Sequence, residues 1–119
     1  MRKSLSLFAL AAAALAPAAP AFAHAHVVKS TPAANAVIAA PKTVSVTFSE
    51  KLVPAFSKLD IAMSGMKMGI PVKTSLSADG KTLTGIPQGA FMKGSYVVTW
   101  TAASTDGHKM KGSIPFQIK

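Results

Sequence analysis

All three histidines of this 119-residue chain fall in two short clusters. His24 and His26 follow a run of alanines near the beginning of the sequence, and Asp106 and His108 stand two apart in "TDGHKM". A carboxylate and an imidazole at this spacing lie on one side of an extended backbone and can share a metal ion. Asp-Gly-His is also a favourable turn sequence. The clusters therefore predict a metal site, with an ordinary turn as the structural alternative.

The residues before His24 have the features of a secretory signal peptide. Arg2 and Lys3 give a positive start, the apolar run over residues 5–15 is too short to cross a bilayer, and residues 21–23 end in Ala-x-Ala. We expect peptidase cleavage after Ala23. Removal of residues 1–23 leaves a single 96-residue domain, residues 24–119, which begins with His24.

Cleavage at this point gives His24 a chemistry that an internal histidine lacks. Its free amine and its Nδ1 can close a six-membered ring on a metal, and nitrogen donors of this kind favour copper. Together with Asp106 and His108 the set comprises an amine, two imidazoles and a carboxylate, which suits tetragonal Cu²⁺. His26 offers an alternative: the amine, two backbone amides and the third-position imidazole can surround Cu²⁺, and Ala25 permits this because it is not proline. Both N-terminal histidines could also be ordinary polar residues of an exposed terminus.

The segment "MSGMKMG" contains three methionines, Met63, Met66 and Met68, within six residues. The chain has no cysteine, so a soft metal would have to be bound by thioethers, and three converging thioethers would select Cu⁺. The flanking glycines predict an exposed loop. The alternative is that these methionines fill gaps in the core.

Basic residues predominate, but their distribution does not indicate nucleic-acid binding. Without Arg2 and Lys3 the chain keeps 11 basic residues against four acidic ones, a net charge of about +7. The lysines are scattered singly, and one Trp and one Tyr offer little for stacking on bases. Scattered lysines are typical of solvated strand faces, while anionic lipid or an acidic partner is the alternative.

Hydrophobic periodicity predicts an all-β fold. Short segments rich in valine, isoleucine, threonine and aromatic residues alternate with polar residues, as Val44, Val46 and Phe48 do in "KTVSVTFSE". About seven such strands are present, and an Asp79-Gly80 turn precedes one of them. This pattern predicts an immunoglobulin-like sandwich or a Greek-key β-barrel without a disulfide.

Together these features resemble the CopC/PcoC family of bacterial periplasmic copper-binding proteins, which are associated with copper resistance. The resemblance spans the mature chain through its N-terminal histidine, "VVKSTPAANAVIAAP", "VTFSEKL", the methionine loop, "GSYVVTWTAASTDGH" and "GSIPFQIK". It implies a β-sandwich whose Cu²⁺ ligands are the N-terminal histidine with its amine and the Asp and His of the D-x-H motif. These positions are His24, Asp106 and His108.

The sequence departs from the family pattern in two places. Family members with a Cu⁺ site have a longer methionine loop that also contains a histidine, whereas this loop continues into Gly69, Ile70 and Pro71. Ala25 stands where some members carry proline, which leaves the amide-wrapped mode at His26 open. We interpret Glu50 of the recurring F-S-E motif as structural.

We therefore predict a periplasmic copper-binding protein that acts as a carrier or buffer in copper resistance or homeostasis. It would hold Cu²⁺ at the processed terminus, with an additional Cu⁺ site on the methionine loop, and pass copper to a membrane or periplasmic copper-handling protein. We expect no enzymatic activity and a monomer, with a metal-bridged dimer as the alternative. Two other classes stay open: a copper-dependent oxidase with a histidine-brace site, which Asp106 as a ligand disfavours, and a non-metal immunoglobulin-like assembly module.

Overall fold

The computed structural model describes residues 25–66 and 69–119, so the predicted signal peptide, residues 1–23, lies outside the described residues. The described residues form nine strands and one turn of 3-10 helix, Pro54–Phe56. The strands are β1 (Val27–Thr31), β2 (Ala36–Ile38), β3 (Val44–Phe48), β4 (Lys58–Met63), β5 (Gly69–Ile70), β6 (Val72–Leu76), β7 (Thr82–Pro87), β8 (Gly94–Ala103) and β9 (Lys109–Ile118). Across these two ranges no helix has the length and hydropathy to span a membrane.

The strands form two sheets that are antiparallel except at one edge. One sheet has the order β1-β3-β7-β6 and the other the order β2-β9-β8-β4-β5, in which β2 runs parallel to β9. Neither sheet closes on itself over the described part of the chain, because each has two edge strands. Of the two all-β architectures predicted, the fold is therefore the sandwich.

All seven strands predicted from the sequence are present, and two short ones were not predicted. β2 has three residues and β5 has two, which is too short to show a period of two. The prediction of an exposed loop at the glycines that flank the methionines is wrong for Gly69, because Gly69 pairs with Ala62 of β4. A Cβ at position 69 would lie 2.8 Å from the Ile61 carbonyl oxygen, so the missing side chain permits this close pairing.

The apolar faces of the strands form the core between the two sheets. Val44, Val46 and Phe48 of β3 are buried, as are Tyr96 and Val98 of β8, which confirms the predicted alternation. Burial of each large apolar side chain contributes roughly 1.5–3 kcal/mol to folding. The remaining buried members of this cluster are Leu52, Leu59, Ile61, Leu83, Ala102, Ile114, Phe116 and Ile118.

Phe48 joins the two sheets near the ends of β3 and β8. Its ring meets that of Trp100 edge to face, with the two centroids 5.0 Å apart. Trp100 lies against Gly112 of β9, where a Cβ would come within 2.4 Å of the indole. Ser49 follows Phe48 directly, so this aromatic contact stabilises the base of the loop that leaves β3.

Replacement of Phe48 by alanine should lower the free energy of unfolding by about 3–5 kcal/mol, because it leaves a cavity between the sheets. Phe56 provides the matched control, since this residue is 59% exposed and its ring lies 5.5 Å from the Lys109 ammonium. Phe56→Ala should cost less than about 1 kcal/mol. Urea unfolding followed by circular dichroism measures both values, and equal losses would contradict the assignment of Phe48 to the core.

Candidate metal centre

Asp106 and His108 lie in the turn between β8 and β9, residues 104–108, which we call the Asp–His turn. The last pair of the β8–β9 ladder, Ala103 with Lys109, flanks this turn directly. Within it, the Gly107 N–H donates to the Ser104 carbonyl at 3.0 Å and the Ser104 N–H donates to the His108 carbonyl at 2.9 Å. Gly107 has a φ of +95°, which glycine adopts without steric strain. The predicted turn is therefore present and places Asp106 beside His108.

The Asp106 carboxylate is held by groups of its own turn. Its Oδ1 accepts hydrogen bonds from the Ser104 hydroxyl and, at 3.1 Å, from the His108 N–H. Its Oδ2 lies 3.0 Å from His108 Nδ1. The hydrogen bond from Ser104, followed by those from His108, lowers the pKa of Asp106 from 3.8 to about 2. The Asp106 carboxylate is consequently ionised, and able to act as a metal ligand, throughout the neutral and mildly acidic pH range.

The contact with Asp106 also determines which nitrogen of His108 can bind a metal. An ionised carboxylate only accepts hydrogen bonds, so we assign the proton of the neutral imidazole to Nδ1. The lone pair then lies on Nε2, which is the nitrogen that would bind a metal while the contact persists. The side chains of His108 and Asp106 are 53% and 44% exposed, so an ion can approach them from solvent.

The turn between β6 and β7 repeats the same hydrogen-bond pattern without a histidine. Its Asp79 Oδ1 accepts hydrogen bonds from the Ser77 hydroxyl and the Lys81 N–H, and the glycine that follows has a φ of +74°. The hydrogen bond from Ser77 lowers the pKa of Asp79 as well. Both turns have the sequence Ser-x-Asp-Gly. The conformation of the aspartate is therefore a property of this turn type. The two turns differ chemically in the residue after the glycine, which is Lys81 in one and His108 in the other.

The beginning of the described chain is attached to the end of β3 through Ser49. β1 and β3 pair antiparallel from Val27 and Phe48, so His26 and Ser49 lie opposite each other just beyond the ladder. The Ser49 N–H donates to the His26 carbonyl at 2.9 Å, and the His26 N–H donates to Ser49 Oγ at 3.0 Å. Ser49 Oγ also lies 3.2 Å from His26 Nδ1. Ser49 therefore holds both the backbone and the ring of His26.

We call residues 25–26, the beginning of the described chain, the N-terminal limb. Residues 49–52, which we call the linking segment, connect this limb to the Asp–His turn. The Lys51 carbonyl accepts a hydrogen bond from the Thr105 N–H at 3.1 Å. The next residue, Leu52, is buried and forms an isolated β-bridge with Ser104. The linking segment thus makes hydrogen bonds to both limbs, although they lie far apart in sequence.

Among residues 25–66 and 69–119, no three His, Cys, Asp or Glu side chains come together as a metal-binding group. Asp106 and His108 therefore supply two donors, and further donors must come from other groups. His24, the predicted third residue, lies outside the described residues. Glu50, which we interpret as structural, is exposed in the linking segment.

Two of the predicted methionine ligands, Met63 and Met66, lie at the opposite end of the larger sheet. Met63 is the last residue of β4 and pairs with Tyr96 of β8. Tyr96 precedes Ser104, the first residue of the Asp–His turn, by eight residues, which corresponds to roughly 26 Å of extended chain. Met63 packs partly buried against the core, whereas Met66 is exposed in the turn that follows. Met68 lies outside the described residues. The methionine segment and the Asp–His turn are thus separate candidate sites.

Sequence reasoning missed two residues that build the site, Ser49 and Ser104. Ser104 could have been found, because the Ser-x-Asp-Gly sequence occurs twice in the chain and serine two residues before aspartate is a common turn partner. Ser49 could not, because its contact with His26 joins residues 23 apart in sequence and depends on the register of β1 against β3.

Replacement of Ser104 by alanine should raise the pKa of Asp106 from about 2 toward 3.8, because it removes the principal hydrogen bond to the carboxylate. The ionised carboxylate stabilises the folded state above the unfolded pKa, and this contribution is lost as pH falls through the folded pKa. The variant should therefore lose it at a higher pH than the wild type. A titration of the side-chain carboxyl ¹³C shift measures the pKa. Ser77→Ala is the matched control: it should raise the pKa of Asp79 and leave that of Asp106 unchanged.

The fold is shared with known proteins. The CopC domain family matches residues 27–119. Copper resistance protein C of Xanthomonas campestris pv. juglandis is 37% identical, over 98% of this chain and 97% of the relative. The crystal structure of PcoC, a methionine-rich copper resistance protein from Escherichia coli, matches with a TM-score of 0.73 at 36% identity, over 82% of this chain and 100% of that chain. CopC from Methylosinus trichosporium OB3b matches with a TM-score of 0.72 at 30% identity, over 81% and 94% of the two chains. The resemblance found in the sequence is confirmed, and the chain belongs to the CopC family.

Proposed function

We propose that this protein is a periplasmic copper carrier or buffer that acts in copper resistance or homeostasis. It holds Cu²⁺ as cargo between its processed N-terminus and the Asp–His turn. The ligands are His24, through its amine and imidazole, together with Asp106 and His108. One observation carries the proposal: the linking segment hydrogen-bonds both to His26, two residues after His24, and to the Asp–His turn.

The short separation of the two attachment points on the linking segment supports this ligand set. A residue spans at most about 3.6 Å, so the attachment points at Ser49 and Lys51 are at most about 7 Å apart. By the same limit, His24 lies at most about 7 Å from His26. The two limbs are therefore attached within two residues of each other on one segment, which supports a site shared between them.

The donors of this set also suit Cu²⁺ chemically. Nitrogen donors bind Cu²⁺ more strongly than the other divalent first-row ions, and one carboxylate adds a negative charge. That charge matters because the mature chain is strongly basic, with 11 basic residues against four acidic ones and a net charge of about +7, and a positive field opposes cation binding. Asp106 is ionised before any metal arrives, so binding does not require a proton to leave it.

The relatives support copper as the cargo. The Xanthomonas relative and PcoC are both named for copper resistance, and the match extends over nearly the whole length of the Xanthomonas protein. We propose that cargo passes to a membrane or periplasmic copper-handling protein and that the carrier itself catalyses no reaction. We also propose that residues 1–23 are cleaved on export, which frees the amine of His24, and that the carrier is a monomer.

We propose a second, weaker site for Cu⁺ at the methionine segment. Met66 is exposed and accessible to an ion, whereas Met63 would have to leave its place against the core to become a ligand. Met68 is the remaining thioether of this set. Because this segment lies at the far end of β4 from the Asp–His turn, the two oxidation states would be held independently.

Replacement of Asp106 by asparagine should weaken Cu²⁺ binding, and Asp79→Asn should not. The two aspartates occupy the same type of turn, so a purely structural role would affect both variants alike. His108→Ala should lower the affinity by more than the roughly 10–100-fold that follows loss of an outer-shell partner. Competition with a chelator of known affinity, on mature chain that begins at His24, measures all three values.

The opposite result would support a non-metal assembly module. If Asp79→Asn and Asp106→Asn have equal effects and His108→Ala has none, the Asp–His turn is only a turn. A copper oxidase would instead show turnover of oxygen with a reductant, at a rate that depends on His108.

A further inference from the structure

Two coordination modes compete for Cu²⁺ at this terminus, and both use the amine of His24. In the first, the other donors are the His24 imidazole, Asp106 and His108. In the second, they are two backbone amide nitrogens and the imidazole of His26, which give four nitrogen donors in a plane. The second mode removes the proton from the His26 amide and requires that amide nitrogen and the His26 ring to face the same ion.

The structure places both of these His26 groups against a single hydroxyl. The His26 N–H donates to Ser49 Oγ at 3.0 Å, and Nδ1 lies 3.2 Å from the same oxygen. The His26 carbonyl accepts the Ser49 N–H at 2.9 Å. The amide-wrapped mode would therefore have to break the hydrogen bond from the His26 amide and turn the ring away from Ser49.

Ser49 lies on a short stretch of chain that is anchored to the core at both ends. Phe48 is buried, and its N–H donates to the Lys81 carbonyl at 2.8 Å. On the other side, Leu52 is buried and its N–H donates to the Gly80 carbonyl at 2.8 Å. These contacts hold the stretch that carries the hydroxyl against the core, so the hydroxyl favours one conformation of His26.

We infer that Ser49 is a positioning residue that selects the coordination mode: its hydroxyl keeps His26 out of the copper site and leaves the amine of His24 to Asp106 and His108. The inference rests on the proposed function, since it assumes that Cu²⁺ binds at the processed terminus. It assigns a role to the hydroxyl rather than to the shape of the side chain, and this can be tested.

Threonine and valine at position 49 form a matched pair, because they have nearly the same shape and only threonine has a hydroxyl. Mature chain that begins at His24 would be loaded with one equivalent of Cu²⁺ and measured by electron paramagnetic resonance and visible absorption. Wild type and Ser49→Thr should give the spectrum of mixed nitrogen and oxygen donors. In Ser49→Val the ratio of the four-nitrogen form to the mixed form should rise roughly tenfold, the change expected from loss of one hydrogen bond.

The four-nitrogen form is recognised by d–d absorption at higher energy and by added nitrogen hyperfine structure. His26→Ala in the Ser49→Val background should restore the mixed spectrum, which a merely structural role of Ser49 would not predict. Far-UV circular dichroism verifies the fold of each variant, and Ser49→Ala provides the same test if the valine variant does not fold.

Failure of this inference can be distinguished from failure of the proposed function. If His108→Ala changes the wild-type spectrum but Ser49→Val does not, the role of Ser49 is refuted and the copper site stands. If the wild type already shows the four-nitrogen spectrum and His26→Ala abolishes it, the selection by Ser49 is refuted as well. If His108→Ala leaves the wild-type spectrum unchanged, the proposed ligand set itself is wrong.

Discussion

The hydrogen bonds of the linking segment are the constraint on which the candidate site depends. This segment leaves β3 at Ser49, holds His26, accepts a hydrogen bond from Thr105 at Lys51 and returns to the core at Leu52. Without it, the N-terminal limb and the Asp–His turn would be two unrelated surface loops. The contact between Phe48 and Trp100 stabilises the start of this segment, because it joins the two sheets at that point. Residues 48–52 therefore contribute both to the core and to the arrangement of the candidate site.

Much of the fold could be predicted because burial imposes a period of two on each long strand. Val44, Val46 and Phe48 carry that period, and the structure buries all three. The two short strands could not be predicted, since β5 has only two residues and depends on the close approach of Gly69 to Ile61. Such pairing is a property of the tertiary structure and leaves no periodic pattern in the sequence.

The residues of the candidate site could be predicted to different degrees. His108 and Asp106 could be nominated from the sequence, because an imidazole and a carboxylate two residues apart can share a metal, and the structure places them side by side. The repeated Ser-x-Asp-Gly sequence shows why that reasoning needed a structural alternative: the turn at Asp79 forms the same hydrogen bonds and carries no histidine. Ser49 was missed because its role depends on strand register. The same turn type thus occurs twice in the chain, and only the turn at Asp106 continues into a histidine.

The proposed copper site depends above all on the free amine of His24 as a ligand, and a titration of two chains that differ at the terminus tests this. Cu²⁺ would be added to mature chain that begins at His24 and to a chain with one serine placed before it, with Trp100 fluorescence as the signal and chelator competition as an independent probe. Quenching should saturate at one equivalent for the mature chain, and the extended chain should lose most of that affinity, because the added residue removes the amine from the chelate ring. Equal affinities for the two chains would contradict the role of the amine as a ligand.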